Sequence, residues 1–308
     1  MHYQSLSVTL AVNRVSLHIK QWGVGNEACI LLHGFGEGAY IWDSFAPSIA
    51  KLFRTLAVDL RGHGDSSWHP QGEYDVEGHV ADVVGVIDAL RVERFVLVGH
   101  SLGGEIAIRI AAARPESVIG LVIVDFGPEH DPEGAARVLT DFNDSVRTWD
   151  SLSEYGVWLQ QRRPLVSPAL ISELSAGALR VHSSGGYRLK CDPALGTTKT
   201  REKNAAMLWK MIASISLRVL VLRGIGSAVL PRDVAERMEK VLPNGRLWTI
   251  TRAGHGVMVD NPEGFADALY PFLSQQRVTL AEPSFGKHRC EELRDASWLR
   301  SIYDMPHP

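Results

Sequence analysis

The amino-acid sequence predicts an α/β fold built on a parallel sheet, and two observations lead to this prediction. Short apolar runs at 29–34, 54–60, 94–100 and 117–125 alternate with longer amphipathic stretches, a pattern typical of buried strands and crossover helices. Each run ends in glycine or polar residues, and in open α/β sheets ligands bind beyond the carboxyl ends of the strands. Functional side chains are therefore expected at that edge.

Further strands are predicted on either side of these runs. The segments SLSVTLAV and VSLHIKQWG, separated by Asn13 and Arg14, indicate an antiparallel hairpin at the edge of the sheet. Strand patterns return at 218–224 and 246–254. The last helix is expected to begin at Asn261-Pro262, because asparagine is a good N-cap and proline suits the first turn.

The region between the two halves of the sheet has a different pattern. It contains helix-like segments around AARVLTDFNDSV, LSEYGVWLQQRR, PALISELSAGALRVH and NAAMLWKMIASI. We interpret 129–213 as an inserted helical cap, which leaves 1–128 and 214–277 as the core. Residues 278–308 are expected to form a C-terminal tail, with a short helix from Cys290 to Ile302.

Composition excludes several classes of protein. The 308 residues are 45% hydrophobic and 22% charged, which favours a globular chain over a disordered one. A net charge of -3 argues against nucleic acid as a partner. The N-terminus lacks the pattern of a secretory signal, and apolar stretches such as 118–124 fall far short of the roughly 18 residues of a membrane span. We therefore expect a cytoplasmic protein without a membrane span.

The three cysteines do not indicate a structural role. Cys29, Cys191 and Cys290 are widely spaced and form no CxxC pair. This arrangement predicts neither a disulfide framework nor a zinc site. Packed or incidental thiols are the expected outcome.

The strongest chemical motif is G-x-S-x-G at 99–103. It follows an apolar strand and precedes a segment with helical periodicity, which is the context that this motif requires. The turn is so tight that Gly99 and Gly103 are needed beside the serine, and Ser101 then projects its hydroxyl away from the sheet. The sequence thus predicts Ser101 as a nucleophile.

A serine nucleophile requires a base, and His255 is the best candidate. A histidine accepts the hydroxyl proton and so activates the serine. His255 follows a predicted strand and has a glycine on each side, Gly254 and Gly256, so the loop can turn the imidazole over the sheet. None of the other histidines has a comparable setting.

The glycine-rich segment His33-Gly34-Phe35-Gly36 follows the first buried strand. Backbone amides in such a loop can bind the oxyanion of an acyl-transfer reaction, and a second amide comes from the residue after the nucleophile. The predicted oxyanion hole therefore consists of the amides of Phe35 and Leu102.

Together these motifs resemble those of the α/β-hydrolase fold superfamily. HGFG, DLRGHGDS, GHSLGG and AGHG with DNPE occur in that superfamily's order and spacing across residues 16–276. The resemblance implies a mostly parallel eight-stranded sheet, a lid over the pocket and the chain order Ser, Asp or Glu, His. It does not imply one reaction, because the fold hosts many.

The catalytic acid departs from the superfamily's usual position. Members commonly carry it a few residues beyond the strand that here ends at Gly224, but Ser227 stands there. Some members instead place it at the end of the strand after the nucleophile helix, where this chain has Asp125. We predict Asp125 as the acid. Asp233 or Glu129, a Ser-His dyad without an acid, and a site that has lost catalysis remain alternatives.

The sequence favours a serine hydrolase that cleaves an ester, thioester or lactone through an acyl-enzyme. The cap would supply an apolar roof over the pocket and so suggests a hydrophobic small-molecule substrate, although such residues more often pack in the cap's own core. The candidates are Trp149, Trp158, Leu159, Leu165, Met207 and Trp209. No metal or organic cofactor is expected, since HExxH, P-loop and GxGxxG motifs are absent. No signal indicates an oligomeric state.

The alternatives are a C–C bond hydrolase or cofactor-free oxygenase, in which His255 deprotonates the substrate, and a non-catalytic ligand-binding protein.

Overall fold

Ten strands and ten α-helices make up the part of the chain that this computed structural model describes, residues 4–197 and 205–281. The strands are β1 Leu6–Val12, β2 Val15–Trp22, β3 Glu27–Leu32, β4 Arg54–Val58, β5 Arg94–His100, β6 Val118–Val124, β7 Leu179–Val181, β8 Tyr187–Leu189, β9 Val219–Gly224 and β10 Gly245–Ile250. The helices are α1 Ala46–Ile49, α2 Val76–Ala89, α3 Leu102–Ala113, α4 Pro132–Ser145, α5 Leu152–Arg162, α6 Pro168–Ala178, α7 Ala205–Ser214, α8 Arg232–Val241, α9 Val257–Asp260 and α10 Pro262–Ala281.

The central sheet has eight strands in the order β1-β2-β4-β3-β5-β6-β9-β10. Strands β1 and β2 form the predicted antiparallel edge hairpin, and β2 also pairs antiparallel with β4. All the other pairs are parallel. The predicted α/β architecture and the mostly parallel eight-stranded sheet are confirmed. The carboxyl ends of β3, β5, β6 and β9 meet at one edge, where the predicted site residues follow them.

Both faces of the sheet are covered by apolar residues. On β5, Val96 and Val98 belong to one hydrophobic cluster, whereas Phe95 and Leu97 belong to another. This alternation reflects the two-residue period of a strand. Because both faces are buried, the strand residues form continuous apolar runs, which is why the sequence pattern identified them.

The inserted region lies between β6 and β9, which are neighbours in the sheet. It holds α4 to α7 and a small antiparallel sheet of β7 and β8. The sequence predicted only helices here, so the expectation that the segment PALISELSAGALRVH is helical throughout is wrong at its end. Gly185 and Gly186 have positive φ values of 96° and 71°, which close the tight connection between the two strands.

Helix α7 differs from the rest of the inserted region in its packing. Its Leu208 and Ile212 are fully buried in the cluster that contains Ile106 and Ile110 of α3. This helix therefore packs on the face of the sheet that α3 covers. We propose that α7 belongs to the core domain and that the cap consists of the inserted segments before it.

The two ends of the described chain bear on other expectations. Asn261 caps α10 as predicted, because its Oδ1 accepts a hydrogen bond from the Gly264 amide at 3.0 Å. The helix continues to Ala281, beyond the predicted start of the tail. The predicted helix from Cys290 to Ile302 lies outside the described residues. Within the described ranges, no helix combines the length and apolarity needed to cross a bilayer.

Two of the cysteines can be placed. Cys29 and Cys191 are buried free thiols. Burial raises the pKa of Cys191 to about 12 and that of Cys29 further still, so both remain protonated at neutral pH. Cys290 lies outside the described part of the chain.

Candidate active site

Ser101 occupies a strained turn between β5 and α3. Its backbone has φ 50° and ψ -116°, a conformation that residues other than glycine rarely adopt. A Cβ on Gly99 would lie 2.1 Å from the carbonyl oxygen of Gly103, and one on Gly103 would lie 2.4 Å from that of Leu32. The two motif glycines therefore make the turn possible, as the sequence argument required.

Asp125 directly follows β6, the strand beside β5. Its side chain is fully buried and its φ is 49°. The amide of Gly224 donates to Oδ1 at 3.1 Å, and the hydroxyl of Ser227 donates to Oδ2 at 2.5 Å. A carboxylate that accepts two such bonds has a fixed orientation.

His255 lies in the loop between β10 and α9. Its Nδ1 is 2.8 Å from Oδ2 of Asp125, so the imidazole and the predicted acid are hydrogen-bonded partners. The alternative acids are engaged elsewhere or exposed. Glu129 accepts from Trp209 and pairs with Arg237, and Asp233 is exposed in the first turn of α8.

The predicted oxyanion loop follows β3. The Glu37 amide donates to the Gly34 carbonyl at 3.2 Å, which closes a turn around Phe35. His33 anchors the loop, because Nδ1 donates to the Gly34 carbonyl at 2.8 Å and Nε2 accepts from the Leu60 amide at 3.0 Å. Burial lowers the pKa of His33, in agreement with this neutral form. Among the described residues, no acceptor binds the amide of Phe35 or Leu102.

A cavity of about 330 Å³ opens above these elements. Ser101 and His255 both line it. Within the described chain, the Ser101 hydroxyl and Nε2 of His255 make no hydrogen bond, so both are free to meet a substrate. Catalytic hydrogen bonds are often long in structures without a substrate. Apolar side chains form much of the wall: Phe35, Ile41, Val138, Phe142, Trp158, Leu159, Leu165, Leu174 and Val229.

Only half of the cap residues expected to roof the cavity line it. Trp158, Leu159 and Leu165 do so, whereas Trp149, Met207 and Trp209 are not among the lining residues. The roof hypothesis is wrong for these three, which leaves the alternative of internal packing. Trp149 is fully buried in the cap's own packing, and the other two lie on α7, the helix that packs on the sheet core.

Sequence reasoning missed a hydrogen-bond network in the wall of the cavity. Glu37 Oε2 lies 2.9 Å from Nδ1 of His100, and Glu37 Oε1 accepts from Nη2 of Arg163 at 3.0 Å. Nε2 of His100 lies 2.9 Å from the backbone oxygen of His255, and the rings of these two histidines are 4.8 Å apart. One signal was present: His100 is the variable residue before the serine of the motif.

One group of side chains has the donor types of a metal site. His18, Asp59 and Asp65 place ligand atoms within 4.8 Å of one another. These atoms already have protein partners. Asp59 accepts from His18 at 2.7 Å and from the Asp65 amide at 3.0 Å, and Lys190 pairs with Asp65 at 2.8 Å. The group is a satisfied network away from the cavity, and we assign no ligand to it.

Known proteins resemble this chain over most of its length. Residues 29–268 match the model of the alpha/beta hydrolase family. The pimeloyl-[acyl-carrier protein] methyl ester esterase of Edwardsiella ictaluri is 27% identical over 271 residues, which covers 83% of this chain and 96% of that one. The 2-hydroxy-6-oxo-2,4-heptadienoate hydrolase of Pseudomonas putida is 26% identical over 271 residues, 85% and 94% of the two chains.

A solved structure shows the same fold. The crystal structure of E-2-(acetamidomethylene)succinate hydrolase superposes with a TM-score of 0.79 at 23% identity. The match covers 88% of this chain and all of the other one. The two proteins therefore share one fold.

Proposed function

Because this chain belongs to the alpha/beta hydrolase family, we propose that it is a serine hydrolase that cleaves an ester, thioester or lactone bond of a hydrophobic small molecule. The single observation that carries the proposal is the 2.8 Å contact between His255 and the buried Asp125 at the wall of the cavity that Ser101 also lines. The similarity to a methyl ester esterase supports the same class of reaction.

The first half of the proposed reaction forms an acyl-enzyme. Nε2 of His255 takes the proton of Ser101 Oγ as this oxygen attacks the substrate carbonyl. Asp125 holds the Nδ1–H tautomer and stabilises the imidazolium that forms. The amides of Phe35 and Leu102 donate to the oxyanion, and the positive end of α3 lies beneath it. His255 then protonates the leaving group, which departs as an alcohol or thiol.

The second half of the reaction releases the acid. A water molecule attacks the acyl-enzyme while His255 accepts its proton, and the Ser101 oxygen leaves as the hydroxyl is regenerated. The apolar part of the cavity wall, with Phe35, Phe142 and Leu159, suits a hydrophobic acyl or leaving group. None of these steps calls on a group outside the chain except water.

Covalent labelling tests the proposal most directly. A fluorophosphonate probe should modify wild-type protein at Ser101, and peptide mass spectrometry should locate the adduct there. Turnover of a panel of p-nitrophenyl esters should be lost in Ser101→Ala by several orders of magnitude. An unlabelled wild-type protein that circular dichroism shows to be folded would contradict the proposal.

Cleavage of a carbon–carbon bond is a second candidate. It is favoured by the similarity to a hydrolase named for 2-hydroxy-6-oxo-2,4-heptadienoate, a name that contains a ketone and an acid but no ester. In this reading His255 deprotonates the substrate and Ser101 positions it. Turnover of a vinylogous 1,5-diketone acid without turnover of any p-nitrophenyl ester would favour this candidate.

A further inference from the structure

Three ionisable side chains line the cavity but take no part in the proposed chemical steps. They are Glu37, His100 and Arg163, which we call the charge clamp. His100 and Glu37 are buried, with side chains 2% and 7% exposed, whereas Arg163 is 30% exposed. The three come from different parts of the chain: the loop after β3, the end of β5 and the residue after α5.

The two partners of His100 determine its protonation. Nδ1 faces a carboxylate oxygen of Glu37 at 2.9 Å, and Nε2 faces the carbonyl oxygen of His255 at 2.9 Å. Both partners only accept hydrogen bonds. A neutral imidazole has one N–H and one lone pair, so it can satisfy only one of them. Two good hydrogen bonds require the doubly protonated imidazolium.

Each end of the clamp holds an element of the candidate site. His100 binds the backbone of His255, the proposed base. Glu37 Oε2 also accepts from the Gly34 amide at 3.0 Å, which fixes the proposed oxyanion loop. Arg163 lies in the inserted region, and its hydrogen bond to Glu37 connects that region to the oxyanion loop across 126 positions of sequence.

We propose that His100, held as an imidazolium by Glu37, is a positioning residue that fixes the loop of His255 above Ser101 and joins it to Arg163 in the inserted region. This inference rests on the proposed function for the role of His255. The inference goes beyond the proposed function because it gives His100, the variable residue before the serine of the G-x-S-x-G motif, a role in positioning the site.

The electrostatic surroundings agree with the ionised form. Burial alone would lower the pKa of His100, but the charge and hydrogen bond of Glu37, together with the bond to the His255 carbonyl, raise it above its ordinary value. Burial alone would raise the pKa of Glu37, yet His100 and Arg163 hold it well below its usual range. The ionisable groups that face His100 or interact with its charge are Glu37, Asp125, His255, His33 and Asp260.

Deprotonation of His100 has a definite structural consequence. One ring nitrogen then presents a lone pair to an acceptor oxygen, so either the Glu37 bond or the His255 bond is replaced by repulsion. Because two acceptors face its ring and its pKa is raised, His100 keeps the second proton to higher pH than an ordinary histidine and loses it as the pH rises further. The loop of His255 is therefore held at neutral pH and released under alkaline conditions.

Nuclear magnetic resonance of protein labelled with ¹⁵N-histidine tests the ionised state without any substrate. The ring nitrogens of His100, assigned with a His100→Gln variant, should both be protonated at pH 7. Glu37→Gln keeps the shape of the side chain and removes its charge, so it should lower the pKa of His100. A neutral His100 ring in the wild-type protein at pH 7 would overturn the proposal.

Arg163→Met is the matched control, because it breaks the other bond of the same carboxylate. Removal of a nearby cation favours protonation, so the pKa of His100 should stay or rise in Arg163→Met. General loosening of the fold would instead move the pKa of His100 downward in both variants, and that result would contradict the specific pairing.

Kinetics connect the ionised state to the reaction. The alkaline decline of kcat should move to lower pH in Glu37→Gln, with kcat at pH 8 reduced roughly 10- to 100-fold as the base is misplaced. An unchanged alkaline limb would overturn the positioning role. Absence of fluorophosphonate labelling in the wild-type protein would instead contradict the proposed function, and the ¹⁵N measurement would still decide the state of His100.

Discussion

The hydroxyl of Ser227 donates a hydrogen bond to Asp125, with 2.5 Å between Oγ and Oδ2. The same oxygen of Asp125 accepts from Nδ1 of His255 at 2.8 Å. Ser227 thus stands beside the imidazole at the position where the superfamily commonly carries its acid. In this chain the carboxylate lies at the neighbouring strand end, and the Ser227 hydroxyl orients it.

Ser227→Ala should weaken both activity and stability. The variant removes a donor to the buried carboxylate and an acceptor for the amides of Val229 and Leu230, which lie 3.2 and 3.1 Å from Oγ. Unsatisfied buried groups cost about 1–3 kcal/mol each, so the thermal midpoint should fall measurably. We expect kcat to fall more than the affinity for an ester substrate. An unchanged kcat would show that Asp125 needs no help from Ser227.

Asp125→Asn should be nearly as damaging as His255→Ala. The amide keeps the shape of the side chain but favours the wrong histidine tautomer, a change that has cost roughly 10⁴ in kcat in a Ser-His-Asp enzyme. Asp233→Asn is the control, because Asp233 is exposed on α8 and should tolerate the change. Equal activity of the two variants in a p-nitrophenyl ester assay would remove Asp125 from its proposed role.

Ser101→Gly should be more stable than Ser101→Ala, although both should be inactive. The φ of 50° and ψ of -116° suit glycine and strain any side chain, at a cost of roughly 1–3 kcal/mol. Glycine also increases the conformational entropy of the unfolded chain, which lowers the free energy of unfolding by about 0.4–1 kcal/mol and offsets part of this gain. Chemical denaturation should therefore find the glycine variant more stable by about 1 kcal/mol. A less stable glycine variant would show that the turn carries no strain.

The sheet and the main site residues could be predicted because their signals are local. Strands buried on both faces form continuous apolar runs, and the parallel order brings their carboxyl ends together. Asp125 was predicted because some members of the superfamily carry the acid at this strand end, and because the residue that follows β6 lies beside the end of β5. The structure places Asp125 against His255, and the role of Asp125 as the catalytic acid stays a prediction.

The remaining features depend on contacts that sequence spacing does not encode. The bond between Glu37 and Arg163 joins residues far apart in the chain, and neither residue type alone indicates it. The donor role of Ser227 was missed because a serine lacks the charge that the position usually carries. Strands β7 and β8 have only three residues each, too few for a two-residue period to be recognised.

Glu37→Gln should reduce stability at neutral pH but not in acid. Burial raises the pKa of Glu37, and the nearby His100 and Arg163 outweigh this and lower it well below the ordinary value of 4.5. A carboxyl with a lowered pKa in the folded state contributes stability above its ordinary pKa and loses it as the pH falls. Thermal midpoints of wild type and variant should differ at pH 7, and the difference should shrink as the pH falls from about 4.5 toward the lowered pKa of Glu37. A difference that persists in acid would show that the Glu37 charge is not its source.

The double variant Asp125→Asn with Ser227→Asp should recover part of the activity that Asp125→Asn loses. In the wild-type protein Ser227 Oγ and His255 Nδ1 both lie within hydrogen-bond distance of one oxygen, Oδ2 of Asp125, so a carboxylate at 227 starts close to the imidazole. The amides of Val229 and Leu230 already point at the Ser227 oxygen and would stabilise the new charge. Recovery will be incomplete, because the asparagine at 125 still occupies the space between the two side chains.

The informative measurement is kcat for an ester across the wild type, both single variants and the double variant. Ser227→Asp alone should be impaired, since it sets two carboxylates against each other in a buried site and raises the pKa of one of them. The double variant should then exceed both single variants, and the coupling between the two positions should be strongly favourable. A double variant no more active than Asp125→Asn would mean that a carboxylate at 227 cannot orient His255, and the two strand ends would then not be interchangeable sources of the acid.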